Sequence, residues 1–197
     1  MFRVRFIVQN VFVRRAELMN RRWTFVLATI LILWTGIVLY FGTRNAVVSS
    51  RQARWAYDIL KRIDQMLDLS ETELFVRIKN GLNKLWFGDR KMPTVELVRK
   101  SAHFGLYMVL GIVSFWFAFT YSVKVLMAVI ISVSLPALVA SLDEYLQQFR
   151  GRGASLNDVM IDVSGAVTGT VFCLVVFTLV RLIQFFLSKK DQQRKEA

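Results

Sequence analysis

A chain of 197 residues with 55% hydrophobic content and a mean hydropathy of +0.44 is too apolar for an ordinary soluble domain and long enough for several membrane crossings. Its net charge of +12 invites a nucleic-acid reading, but the basic residues crowd the ends of apolar runs, where membrane proteins place them, so no nucleic-acid partner is expected. The single cysteine, Cys173, excludes an intrachain disulfide and leaves the redox compartment unread.

Residues 1–22 form a basic tail with six arginines (Arg3, Arg5, Arg14, Arg15, Arg21 and Arg22) against one acid, Glu17. By the positive-inside rule this tail stays cytoplasmic. Residues 23–42 are uncharged and, at about 1.5 Å per residue, cover the roughly 30 Å hydrocarbon core, with Trp23, Tyr40 and Phe41 as interfacial anchors. The length of chain before this run and the lack of a small-residue cleavage site make it a retained anchor rather than a secretory signal.

A polar stretch follows, residues 43–100, with twelve basic and seven acidic residues. Its extracytoplasmic loop, 43–94, carries two stripes at helical spacing: Trp55, Ile59, Ile63 and Met66, then Leu74, Ile78, Leu82 and Leu85. Ser70 and Glu73 have the spacing of a capping box before the second stripe. The two amphipathic helices either pack on each other or lie on the bilayer surface, an option that Trp86, Phe87 and the nearby basic residues allow.

Residues 95–188 hold the remaining three spans. Pro93 and Thr94 punctuate the chain, and Thr94 is placed to cap a helix that becomes a span from about residue 102. A short connection, 122–124, makes the next span, about 125–142, its antiparallel neighbour, with Pro136 as an expected kink. Ser155 and Asp158 read as a second capping box before a last span that ends near residue 187, ahead of the basic tail 189–197. Gly165, Ala166 and Gly169 give it a small-residue face for helix packing. Four spans place both termini in the cytoplasm.

The chemistry concentrates at one rim, where the second span starts, the third ends and the fourth starts. An ionised carboxylate at membrane depth costs on the order of a few kcal/mol, so it is normally paired or lines a wet cavity. Asp143, Glu144, Asp158 and Asp162 fall within twenty positions. Arg99, His103 and Tyr107 share one helical face, as do Asp143 with Gln147 and Asp158 with Asp162. These residues, with Lys100, Arg150 and Arg152, are expected to gather in one shallow pocket. For any one of them the plainer alternative is a structural ion pair locking helix ends. His103 with the aspartates could act as acid and base or hold a metal, but no fixed ligand spacing is present, so no metal and no cofactor are assigned. No nucleophile elbow or phosphate loop is present.

Two stretches, RKSAHFGLYMVLG over residues 99–111 and SLDEYLQQFRGRGASLNDVMIDVSGA over residues 141–166, resemble the VanZ-like family of small bacterial membrane proteins. The resemblance covers about residues 95–169. The family's Lys-x-x-His-Phe pattern falls on Lys100, His103 and Phe104, its tyrosine on Tyr107 and its glycine on Gly111. Its second motif falls on Asp143, Glu144, Gln147, Arg152, Asp158, Val159 and Asp162. The chain departs at Leu106 and Leu146, where many relatives carry Glu and His, and at Arg150, where the relatives' turn has proline. The resemblance implies a cell-envelope role, since one member is linked to resistance to teicoplanin, a lipid-tailed glycopeptide.

The expected fold class is therefore all-α, an integral membrane bundle of about four transmembrane helices with an amphipathic helical loop between the first two. The expected location is the bacterial cytoplasmic membrane. The leading functional expectation is an outer-face pocket engaging a membrane lipid head group, a lipid-linked wall precursor or the glycopeptide, with Arg99, Lys100, Arg150 and Arg152 holding anionic groups. Alternatives are a membrane hydrolase or transferase on a lipid-linked substrate, and a structural partner in an envelope complex. The oligomeric state is not assigned.

Overall fold

The computed structural model describes residues 2–42, 46–67, 72–88, 93–149 and 155–196, with side chains described within residues 21–187. Among the described residues all six regular elements are helices: α1 (Phe2–Gly42), α2 (Ala46–Leu67), α3 (Glu73–Phe87), α4 (Thr94–Ser122), α5 (Val125–Gln148) and α6 (Leu156–Glu196). Four stretches among the described residues are long and apolar enough to cross a membrane: Arg21–Gly42, Thr94–Ser122, Val125–Gln148 and Leu156–Leu187. In a bilayer core without water such internally bonded helices leave no backbone group unsatisfied. The chain is an integral membrane helical bundle.

Helix α4 is the hub and packs on α1, α2, α5 and α6. Its contact with α6 is backbone to backbone: a Cβ on Gly165 would strike the Phe104 carbonyl, one on Gly169 the Met108 carbonyl, and one on Gly111 the backbone of Ala166. The small-residue face read from the sequence thus meets a glycine on the other helix, so the two backbones close from both sides. Below this contact Phe115, Ala118, Ala128 and Cys173 form a buried cluster, with the thiol packed among the helices.

Polar bonds stitch the helices where the apolar medium gives them no competitor. The Trp34 indole Nε1 donates to the Leu106 carbonyl at 3.0 Å, docking α1 on α4. Between α5 and α6, the Thr170 hydroxyl donates to Ser132 Oγ at 3.0 Å. Pro136 is buried within α5, which continues through it. The α4 to α5 turn holds Val123 in the left-handed region, φ 57°, where its N–H donates to the Phe119 carbonyl at 2.8 Å.

Three expectations about local structure change. Pro93, not Thr94, occupies the cap of α4: its fixed φ of −56° suits that position and its carbonyl accepts from Glu96 and Leu97, leaving Thr94 inside the first turn. The Ser155 and Asp158 box is opened, because the Ser155 N–H donates instead to Glu144 Oε1 at 2.5 Å and Asp158 turns to Lys100. In the loop helices, Trp55 and Leu85 of the expected stripes stand exposed, whereas Ala53 and Trp86 are the buried positions. Trp86 packs with Leu82, Leu97, Phe104 and Ile161, and its carbonyl accepts from Asn157 Nδ2 at 3.1 Å, so α3 is anchored on the junction of α4 and α6. Ser70 lies outside the described residues, and the side chains of Ile63, Met66, Leu74, Ile78 and Phe87 lie outside the described ones.

Candidate functional site

The site forms at the end of the bundle where α4 and α6 begin and α1 and α5 finish. A cavity of about 10 Å³ lies there, lined by Arg99, Lys100 and His103 of α4 and by Glu144 and Gln147 of α5. Helix α6 completes it with Asp158, Ile161 and Asp162. Such a volume holds about one water or one ion. Seven of the eleven residues expected to gather do so around this single space.

Each side chain reaches it for a local reason. Positions 99, 100 and 103 fall on the first turns of α4, and 158 and 162 are one turn apart on α6, so the glycine-mediated approach of the two helices sets the faces against each other. The Lys100 ammonium donates to Asp158 Oδ1 across that junction. One turn deeper, His103 Nδ1 stands 3.7 Å from Asp162 Oδ1, beyond direct hydrogen-bond length. Glu144 ties the end of α5 to the start of α6 through its bond from the Ser155 N–H. Arg99 donates through Nη2 to Glu96 on its own helix, leaving its Nε buried without a partner.

Asp143 lies behind the cavity and is almost wholly enclosed, at 1% exposure. Its Oδ2 accepts from Gln147 Nε2 at 3.0 Å, and its Oδ1 has no hydrogen-bond partner. The carboxylate presses on Gly42, the last residue of α1, at a spot where any Cβ would overlap it. One ligand atom each from His103, Asp143 and Asp162 lie within 4.8 Å of one another. Tyr107 does not line the cavity: it is fully buried beside Leu31, Val38, Leu110 and Ala140, with its hydroxyl unpartnered. Arg150 and Arg152 lie outside the described residues.

A second space adjoins the first. A groove of about 290 Å³ runs between the end of α1, the middle of α2 and the start of α4, with Phe41, Ala53, Ala56, Val98, Ala102 and Leu106 among its walls. Arg99 and His103 line both spaces, so a polar recess and a largely apolar groove meet at two shared side chains. The groove was not legible in the sequence because its walls, such as Phe41, Ala53, Ala56 and Val98, are ordinary apolar residues from three separate helices. Gly42 escaped the sequence reading too, although a glycine closing the first span at the depth where the third span ends was the available signal.

Unsatisfied polar atoms cluster at this end: of five buried side-chain atoms without a partner among the described residues, Arg99 Nε, Tyr107 Oη and Asp143 Oδ1 belong to the expected site set. Each such orphan costs on the order of 1–3 kcal/mol where no water or ligand meets it.

Residues 25–181 match the model of the family described as VanZ/LLP1. No curated protein and no solved structure matches the chain. The match covers well over half of the 197 residues, takes in α2 to α5 whole, and includes every side chain around both spaces. With four membrane-crossing helices and this shared stretch, the chain belongs to the VanZ-like family.

Proposed function

We propose that this VanZ-like protein binds a lipid with a phosphate-bearing head group, such as a lipid-linked wall precursor, at the outer face of the bacterial plasma membrane. The observation that carries the reading is the junction of the two spaces at Arg99 and His103, which matches the build of an amphiphile. An acyl or polyprenyl chain fits the groove between α1, α2 and α4, and the head group rests at the mouth of the small recess. Guanidinium forks suit phosphate oxygens, and Arg99 still has a buried N–H to offer. The buried acids accept hydroxyl or amine donors of the head group. On this reading resistance to teicoplanin is one use of head-group binding, with both termini on the cytoplasmic side.

The test is selectivity. Purified protein in detergent, offered a polyprenyl phosphate and the polyprenol of equal chain length and followed by native mass spectrometry, should retain the phosphate at least about tenfold better, a difference of about 1.4 kcal/mol. Arg99→Gln should remove most of that preference. Equal retention of phosphate and alcohol by the wild type contradicts the reading.

One observation favours a second reading, a hydrolase or transferase acting on the same class of lipid. His103 Nδ1 lies 3.7 Å from Asp162 Oδ1, the arrangement of an imidazole oriented by a carboxylate, and catalytic hydrogen bonds are often long before substrate binds. Turnover of a lipid-linked phosphoester by the purified wild type, lost in His103→Ala with the lipid still bound, is the expected result for an enzyme. Retention of intact lipid by both proteins assigns the site to binding alone.

A further inference from the structure

We infer that His103, Asp143 and Asp162 form a binding site for a single divalent transition-metal cation. The lipid reading is not needed for it.

The three residues come from different helices and converge at one depth: His103 from α4, Asp143 from α5 and Asp162 from α6. One ligand atom from each lies within 4.8 Å of the other two. Two ligands each about 2.1 Å from a shared ion stand at most about 4.2 Å apart, so the set closes on a cation with a small side-chain adjustment. No fixed sequence spacing announces the site, because each ligand sits on its own helix.

Charge gives the second, independent argument. Asp143 and Asp162 are 1% and 4% exposed, and neither has a lysine or arginine at ion-pair distance among the described residues. The Lys100 ammonium bonds Asp158, and the Arg99 guanidinium bonds Glu96. Two carboxylates enclosed at the rim of a membrane span, with one oxygen of Asp143 unpartnered, carry a desolvation cost that their own neighbours do not offset. A doubly charged cation balances the pair, and His103 supplies a neutral nitrogen ligand.

The ligand set also selects among cations. One imidazole with two carboxylates suits manganese, iron or zinc better than calcium, which takes more oxygen ligands in a larger cage. The adjoining cavity of about 10 Å³ has room for one further small ligand such as water. Gly42 belongs to the same design: a side chain there would push into Asp143 and spoil the convergence.

The experiment titrates Mn²⁺ into purified full-length protein in detergent, with free Mn²⁺ read by electron paramagnetic resonance. The wild type should bind one ion per chain saturably, and Zn²⁺ but not Ca²⁺ at equal concentration should displace it. His103→Gln and Asp162→Asn should each weaken binding at least about tenfold, whereas Glu73→Gln, in an exposed pair on α3, should leave it unchanged. Helicity and a monodisperse chromatographic peak normalise each variant to its folded fraction. Should Asp162→Asn not fold, His103→Gln at its half-buried position decides. Absence of saturable Mn²⁺ or Zn²⁺ binding by the wild type overturns the inference, as does binding that survives both substitutions.

Discussion

Asp143→Asn is expected to abolish binding of a divalent cation at His103, Asp143 and Asp162 while leaving the protein as stable as before or more so. The two halves of that result have one physical cause. Asp143 is enclosed at 1% exposure with an unpartnered Oδ1, a state that costs on the order of 1–3 kcal/mol relative to a satisfied or neutral group. Asparagine keeps the shape, and its amide oxygen still accepts from Gln147 Nε2, so the packing against Gly42 survives while the buried charge is gone. Neutralising Asp143 removes an anionic ligand and its desolvation cost together. The check is a pair of numbers from one preparation: the thermal midpoint in detergent, expected to hold or rise, and the affinity for Mn²⁺, expected to fall at least about tenfold. A lowered midpoint with Mn²⁺ affinity intact would make Asp143 a structural residue.

The second large effect concerns the scaffold. Gly165→Val should destabilise the bundle by about 2–3 kcal/mol, at the upper end of what overpacking costs, because the added Cβ meets the Phe104 carbonyl and no rotamer can move it. Relief requires α4 and α6 to part, and that movement also draws Lys100 from Asp158 and His103 from Asp162. Gly105→Val is the matched control: it sits on the same stretch of α4, but nothing lies within 4 Å of its Cβ, so only the small propensity difference remains. Folded yield and thermal midpoint of the two variants, measured side by side, should separate by several degrees, and equal values would remove the close α4 to α6 approach from the account.

Much of the architecture is legible without coordinates because the bilayer simplifies the code. Runs such as residues 125–142 announce a span by length and apolarity alone, and four of them with an intervening polar stretch give the bundle. The polar cluster is legible for a related reason: Asp158 and Asp162 are costly at that depth, so their presence flags the rim. Pairing is not legible. Helical period places Arg99, His103 and Tyr107 on one face, yet Tyr107 packs among Leu31, Val38 and Leu110 while Arg99 and His103 open onto the cavity, a split decided by where α1 docks. That docking rests on the Trp34 bond to Leu106 and the seat of Gly42 on Asp143, both between residues far apart in the chain. The loop shows the same limit. Periodicity identifies its helices, but Trp86 is buried and Leu85 exposed because α3 meets α4 and α6 with its last turn.

On the lipid reading the chain lies in the groove and the head group beside Arg99 and His103. A photoactivatable phospholipid carrying a diazirine near the head-group end of its acyl chain tests this directly, with adducts mapped on the wild type in nanodiscs by peptide mass spectrometry. The account predicts labelling concentrated on residues 52–56 and 98–106, competed by excess polyprenyl phosphate. Labelling spread over the exposed apolar faces, such as Leu126, Leu138 and Phe172, and insensitive to the competitor would contradict it.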